Sequence, residues 1–278
     1  MGVPSLTAGD GTVLPAIGFG TYKLTGSAGV ASVAQAIRAG YRLLDSAVNY
    51  ENEGAVGRAA SSATGVPDEL VVTSKLPGRR HRYAEALATI EESVYRTGLD
   101  RIGLYLIHWP NPKVDRYVEA WTALIEARER GLVRHIGVSN FLPEHIDRLV
   151  AETGVVPVVN QIEIHPYFPQ REALDHHRTL GVLVQAWSPL GRRSDLLGNP
   201  TITAIAGEHG ISPAQTVLAW HVARQVIPLP KAAGSERQRE NLDVFGIALS
   251  EAEIEAITAL GRPDGRTAGQ DPAVYEEF

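Results

Sequence analysis

Residues 101–140 read RIGLYLIHWPNPKVDRYVEAWTALIEARERGLVRHIGVSN. Ile102–His108 is an almost unbroken apolar run, and Arg134–Ser139 is a second one closed by polar residues. Between them Val118, Trp121 and Ile125 recur at the spacing of one helix face, and Gly131 marks its end. A strand covered on both faces needs such continuous apolar character. Two parallel strands need a crossover of a dozen residues or more to join them. The stretch predicts a strand–helix–strand unit.

The same alternation extends both ways. Val13–Gly20, Tyr41–Asp45 and Leu70–Lys75 read as strands upstream, and Val155–Glu163, Val182–Trp187 and Val226–Pro230 downstream. Val30, Val33, Ala34 and Ile37 make a helical stripe stopped by Gly40. Ser212-Pro213 reads as N-cap and first helical residue, and Ser250 with Glu253 as a capping box. Eight strands with helical crossovers predict an α/β fold, a (β/α)8 TIM barrel formed by residues 1–278 as a single domain. Asp10-Gly11 within Ser5–Val13 predicts an N-terminal hairpin plugging the barrel's N-terminal mouth. Val182–Val226 holds two helical patterns, so extra helices are expected near the C-terminus.

The 278 residues include no Cys and one Met, which excludes disulfides, thiol catalysis and Cys-ligated metals. A formal net charge of −6 disfavours nucleic acid as a partner. Met1-Gly2-Val3-Pro4-Ser5 does not open a secretion signal, and no apolar run is long enough to span a bilayer. The expectation is a cytoplasmic, monomeric protein with neither a nucleic-acid nor a membrane partner.

Barrel chemistry gathers at the C-terminal ends of the strands. Here those ends carry Asp45, Lys75, His108, Asn140, Gln161, Trp187 and Lys231. Taken singly, each is more often a structural ion pair or a satisfied core residue; their coincidence at one end argues for a site. Tyr50 follows Asp45 in the next loop. A phenol is a poor acid, with a pKa of about 10, and a nearby ammonium lowers that value. Lys75 can supply the charge, Asp45 can hold Lys75, and His108 can donate to a carbonyl oxygen. Together they predict a protonating, oxyanion-stabilising corner for carbonyl reduction. Gly18-x-Gly20 is no dinucleotide fingerprint, because its third glycine would fall at Lys23. His165 and His176-His177 read as loop or surface residues, and no metal is expected.

These fragments resemble the aldo-keto reductase family from end to end. The resemblance rests on Gly18-Phe19-Gly20-Thr21, Asp45 with Tyr50-Glu51-Asn52-Glu53, Thr73-Ser74-Lys75-Leu76 and Tyr105–Pro110. It continues through Ile136–Phe141, Asn160–Glu163, Trp187–Gly191 and Pro230-Lys231. It implies a catalytic tetrad of Asp45, Tyr50, Lys75 and His108, with Tyr50 as general acid. It implies that Ser139, Asn140 and Gln161 hold a nicotinamide carboxamide and that Trp187 stacks on its ring. Ser188, Leu190, Lys231, Arg237 and Asn241 would take the rest of NADPH, with NADH as a second cofactor. Ser235 and Gln238 form a capping-box pattern, so a helix N-terminus is expected there. Tyr22, Val48 and Trp109 would face a small carbonyl substrate. Three positions depart from the family pattern: Pro77 replaces a Trp, Ala232 a Ser, and Gly234 an Arg. Two other functions fit such a fold: a non-catalytic nicotinamide-binding regulatory protein, and a Schiff-base aldolase using Lys75.

Overall fold

The structure, a computed structural model, describes residues 2–65, 70–192 and 194–278. Short strands β1 (Ser5–Thr7) and β2 (Val13–Pro15) pair antiparallel through the turn at Asp10-Gly11. Eight parallel strands follow: β3 (Phe19–Gly20), β4 (Leu43–Asp45), β5 (Val71–Leu76), β6 (Ile102–Ile107), β7 (Val133–Ser139), β8 (Val159–Glu163), β9 (Leu183–Trp187) and β10 (Val226–Pro228). They lie side by side in sequence order.

The sheet closes on itself. Gly18 N–H donates to Pro228 O at 3.0 Å and Gly20 N–H to Pro230 O at 3.1 Å, joining β3 to β10. Glycine is needed at this seam. A Cβ on Gly18 would stand 2.4 Å from Leu229 Cδ2, and one on Gly20 would stand 2.9 Å from Leu229 O. The predicted (β/α)8 barrel is therefore the observed fold.

Helices α1 (Gly26–Ala39), α2 (Glu53–Ser61), α3 (Tyr83–Thr97), α4 (Tyr117–Glu129), α5 (Pro143–Thr153) and α6 (Arg171–Leu180) make the crossovers. Two helices, α7 (Pro200–His209) and α8 (Pro213–Ala223), fill the link from β9 to β10, as the doubled helical pattern predicts. α9 (Ser235–Leu242) and α10 (Glu251–Thr258) complete the ring. Ser212 and Ser250 cap α8 and α10, accepting from Gln215 N–H at 3.2 Å and Glu253 N–H at 3.3 Å.

Three expectations are corrected. Val13–Gly20 is two strands, because the chain bends after Pro15 and leaves the hairpin to enter the barrel. The run at Val155 becomes a strand only at Val159, beyond Pro157, which has no N–H for a sheet ladder. Ser235 caps nothing: it is the first residue of α9, Gly234 is the cap, and Gln238 turns inward to donate to Ala232 O at 3.0 Å.

Two concentric apolar layers hold the fold. Leu43, Leu104, Leu106, Val159, Ile227 and Leu229 fill the barrel. Leu14 and Ala8 of the hairpin join them from below, and Leu14 is wholly buried. Outside, helices pack on strands, with Trp121, Tyr105 and Ile136 in one cluster and Trp220, Val217 and Ile257 in another. Burying a side chain of the Leu or Phe class stabilises by about 1.5–3 kcal/mol. His165 and His177 belong to this interior and not to the surface, since both are fully buried. His177 Nε2 lies 2.7 Å from Asn160 Nδ2, and His165 Nε2 lies 3.1 Å from Glu163 Oε1.

Candidate active site

Among the described residues a cleft of about 650 Å³ opens at the C-terminal mouth of the barrel. A larger hollow of about 1070 Å³ lies beside the hairpin, at Asp10, Arg42 and His135, and holds none of the strand-end polar residues. Chemistry therefore points to the smaller one. The barrel register explains why these side chains meet. Asp45 ends β4, Lys75 lies one residue from the end of β5, His108 follows β6, and Ser139 and Trp187 end β7 and β9.

Lys75 is fully buried, and its ammonium donates to Asp45 Oδ1 at 2.7 Å and to Ser46 O at 2.8 Å. It stands 3.5 Å from the Tyr50 hydroxyl and 4.8 Å from the centre of that ring. Gln161 Nε2 donates to Asp45 Oδ1 at 2.8 Å and to Gln185 Oε1 at 2.9 Å, so the carboxylate is gripped from two strands. Burial pulls the Lys75 ammonium below its ordinary pKa, while Asp45 pulls it back up.

Tyr50 departs from expectation. Burial, then the carboxylates of Asp45 and Glu277, push its phenol well above the ordinary value. Lys75 does not reverse this, because its charge is already neutralised by Asp45 at 2.7 Å. Arg192 across the cleft acts in the lowering direction. Tyr50 thus keeps its proton throughout the neutral range.

The opposite wall is equally ordered. Trp187 Nε1 donates to Asn140 Oδ1 at 2.8 Å, and Asn140 Nδ2 donates to His108 O and Ser139 Oγ, both at 3.0 Å. Ser139 Oγ donates to Gln161 O at 2.8 Å. Asn140 and Ser188 hold φ of 61° and 50°, a left-handed backbone that non-glycine residues seldom adopt outside sites that need it.

Tyr22, Asp45, Tyr50, His108 and Trp109 line the cleft on one side, with Ser139, Asn140, Gln161, Trp187, Ser188, Leu190 and Lys231 around the rest. Four expected residues lie outside that lining. Lys75 is buried behind it, held by Asp45. Val48 faces a neighbouring groove with Pro77 and Arg79. Arg237 is exposed on α9, and Asn241 is buried with its side chain on the Tyr41 hydroxyl.

Lys23, Asn49, Arg192, Gln270, Tyr275 and Glu277 also line the cleft, and the sequence reading missed all of them. Tyr275 packs on Trp109 with ring centres 4.5 Å apart. Glu277 is fixed by its backbone, whose N–H donates to Asn111 Oδ1 at 3.1 Å while its carbonyl accepts from Asn111 Nδ2 at 2.8 Å. Its carboxylate accepts from Asn49 Nδ2 at 2.8 Å and Gly78 N–H at 3.0 Å. Residues 262–278, which hold Gln270, Tyr275 and Glu277, carry no strand or helix period that could have flagged those three.

Comparison with known proteins agrees with this geometry. The profile of the "Aldo/keto reductase family" matches residues 16–262. The chain is 50% identical to 2,5-diketo-D-gluconic acid reductase B of Corynebacterium sp., over 99% of each chain. It is 39% identical to morphine 6-dehydrogenase of Pseudomonas putida, over 97% of this chain and 94% of that one. Among solved structures, a variant of Gox0644 in complex with NADPH superimposes with a TM-score of 0.94 at 38% identity, covering 99% of this chain and 100% of that one. The Bombyx mori aldo-keto reductase in complex with NADP gives 0.90 at 32% identity, covering 100% and 99%. With its barrel, its strand-end corner and a family match over most of its length, the chain belongs to the aldo/keto reductase family.

Proposed function

We propose that this chain reduces small aldehydes or ketones to alcohols with NADPH, and that Tyr50 delivers the proton. The observation that carries this is the buried Asp45–Lys75 pair with the Tyr50 hydroxyl 3.5 Å from the ammonium, at the floor of a cleft shared with His108 and Trp187. A phenol that stays protonated at neutral pH suits a donor in the direction of reduction. Solved relatives carry NADPH or NADP, and the diketogluconate enzyme is named a reductase.

The residues present fit a nicotinamide dinucleotide. The Trp187 ring is pinned on the cleft wall by Asn140, presenting a flat face for stacking. Lys231 is an exposed cation at the edge of the same cleft, and no carboxylate among the described residues pairs with it. When bound, the nicotinamide supplies the hydride. Ser139, Asn140 and Gln161 would orient its carboxamide, Ser188, Leu190 and Lys231 would hold the phosphate-bearing portion, and Arg237 and Asn241 remain for its far end. Tyr22 and Trp109 would face the substrate.

An aldolase using Lys75 needs an amine free to attack a carbonyl. Here the amine is wholly buried and bound to Asp45 and Ser46, which argues against that alternative. A regulatory protein would not need the corner intact. We place the enzyme in the cytoplasm as a monomeric single domain acting on a small carbonyl compound. Among the described residues no helix is long and apolar enough to cross a membrane.

The decisive experiment is Tyr50→Phe. Loss of a general acid costs about 10²–10⁴-fold in rate, so kcat should fall by that factor while NADPH affinity stays near wild type. A variant retaining more than about a tenth of wild-type kcat would remove Tyr50 from the role.

A further inference from the structure

The catalytic corner has a neighbour that the tetrad does not include. Glu277 Oε1 stands 2.8 Å from His108 Nδ1. The contact is short but falls outside hydrogen-bond geometry. The carboxylate itself is held in place by Asn49 Nδ2 and Gly78 N–H, and its backbone by Asn111 on both sides. Glu277 is 8% exposed. It cannot easily swing away to solvent.

The position of the proton follows from this geometry. An unprotonated Nδ1 would set its lone pair against a carboxylate oxygen at 2.8 Å, two acceptors with nothing between them. The proton therefore belongs on Nδ1. A neutral imidazole carries only one proton, so Nε2, the nitrogen left for the cleft, is then bare and accepts. It can donate to a substrate oxygen only when the ring carries both protons.

Resting on the reductase reading above, we propose that Glu277 is a positioning residue for carbonyl reduction: it holds the Nδ1 proton of His108 and fixes the ring, so that a second ring proton sits on Nε2 and faces the substrate oxygen. No bond is made or broken at Glu277. The transferred proton still comes from Tyr50, and His108 only polarises the carbonyl. Burial pushes the Glu277 carboxyl up, but His108, Gly78 N–H and Asn49 outweigh it and leave the group below its ordinary value, so it is a carboxylate across the working range.

Other charged and titratable groups face this pair from every side. Asp45, Lys75 and Tyr50 lie behind it on β4, β5 and the turn after β4. Arg79 and His81 come from the turn after β5, Arg79 reaching Asn49 Oδ1 at 2.6 Å. Glu276 comes from the tail, where it accepts from Lys113 N–H, and Arg192 stands across the cleft. None but Glu277 is placed within bonding distance of His108 Nδ1.

Two measurements test the proposal. First, ¹⁵N NMR of the histidine rings in the wild-type chain, with His108 assigned by its loss in His108→Gln, reads the tautomer without turnover. A neutral His108 with Nδ1 protonated and Nε2 bare is expected, and an Nε2–H tautomer overturns the proposal. Second, the His108 tautomer by the same ¹⁵N NMR and kcat/KM for aldehyde reduction at saturating NADPH are compared between wild type and Glu277→Leu, which removes the acceptor. The variant should populate the Nε2–H tautomer and lose about tenfold or more in kcat/KM, with NADPH affinity unchanged. A tautomer that stays the same in the variant overturns the proposal. If the wild-type chain reduces no carbonyl, the functional reading fails, and the NMR result still decides the tautomer.

Discussion

Lys75 and Asp45, thirty positions apart in sequence, form a salt bridge of 2.7 Å in which the lysine side chain has no solvent contact at all. The parallel ladder from Leu43↔Val71 to Asp45↔Thr73 fixes their strands, and the pair stands where that ladder ends.

Breaking such a pair leaves an uncompensated buried charge, at a cost of about 3–5 kcal/mol. Lys75→Met should therefore destabilise the fold by that order and abolish activity together. Asp45→Asn combined with Lys75→Met removes both charges and should recover much of the stability without recovering turnover. Urea unfolding of the two variants and the wild type checks this. A double variant no more stable than Lys75→Met would show that packing, and not the unpaired charge, sets the cost.

Trp187 should report on the nicotinamide. Its ring is one of four Trp in the chain, and Asn140 fixes its orientation at 2.8 Å. NADPH should quench its emission, and Trp187→Phe should remove most of that quench while weakening binding modestly. A titration signal that survives the substitution would place the nicotinamide elsewhere.

Cofactor choice is expected to turn on three neighbouring positions. Lys231 is exposed at the cleft edge, Ala232 is buried in the core beside Val244, and Gly234 is exposed with open space around the position of a Cβ. Ala232 therefore offers nothing to a phosphate, whereas Gly234, with φ of −97°, has room for a larger side chain. A hydrogen bond to a charged group is worth about 1.5–3 kcal/mol, and each 1.4 kcal/mol is about tenfold in affinity. NADPH should be preferred over NADH, Gly234→Arg should widen the preference about tenfold or more, and Lys231→Ala should nearly erase it. The ratio of kcat/KM for the two cofactors measures this. A wild-type ratio above about a thousandfold, roughly 4 kcal/mol, would mean that other groups already replace the missing contacts.

Acid should destabilise the protein through buried imidazoles. Burial holds His81, His177 and His221 at about 4, against an ordinary value of 6.5. Between those pH values the unfolded chain binds protons that the native state refuses, so their contribution is full above about 6.5 and is lost as pH falls towards 4. The urea midpoint should drop from pH 7 to pH 5. His81→Leu should flatten that drop, since both ring nitrogens of His81 lack a hydrogen-bond partner among the described residues. Equal midpoints at the two pH values would show that these rings are protonated in the native state.

The barrel was legible because its strands had to be apolar on both faces and its helices on one, and the residues 101–140 display both periods side by side. The strand-end residues were legible for the same reason, as polar interruptions of apolar runs. Tyr50 was found through its place after Asp45, yet its acidity was misjudged, because the neutralising reach of Asp45 on Lys75 depends on an angstrom-scale geometry that spacing does not carry. Glu277 and Tyr275 were invisible. They reach the cleft on an irregular segment whose path is set by Asn111 and Trp109, and nothing in its own sequence announces those partners. His165 and His177 were read as loop or surface residues for want of a helix-spaced acidic partner; His165 does follow β8 in a loop, but both are buried, where Glu163 and Asn160 provide for them.

The hairpin at residues 5–15 and the segment at 262–278 occupy opposite mouths of the barrel, the first against Gly181 and His135, the second against Asn111 and His108. The molecule therefore has a face that can be held and a face that must stay open. Because the chain contains no Cys, a single Val13→Cys, at a side chain 56% exposed on the hairpin, would give one thiol by which every molecule on a bead or electrode is anchored in the same orientation. The cleft would then look outward into the solution, whereas coupling through residues 270–278 would tether the very segment that carries Glu277 to His108.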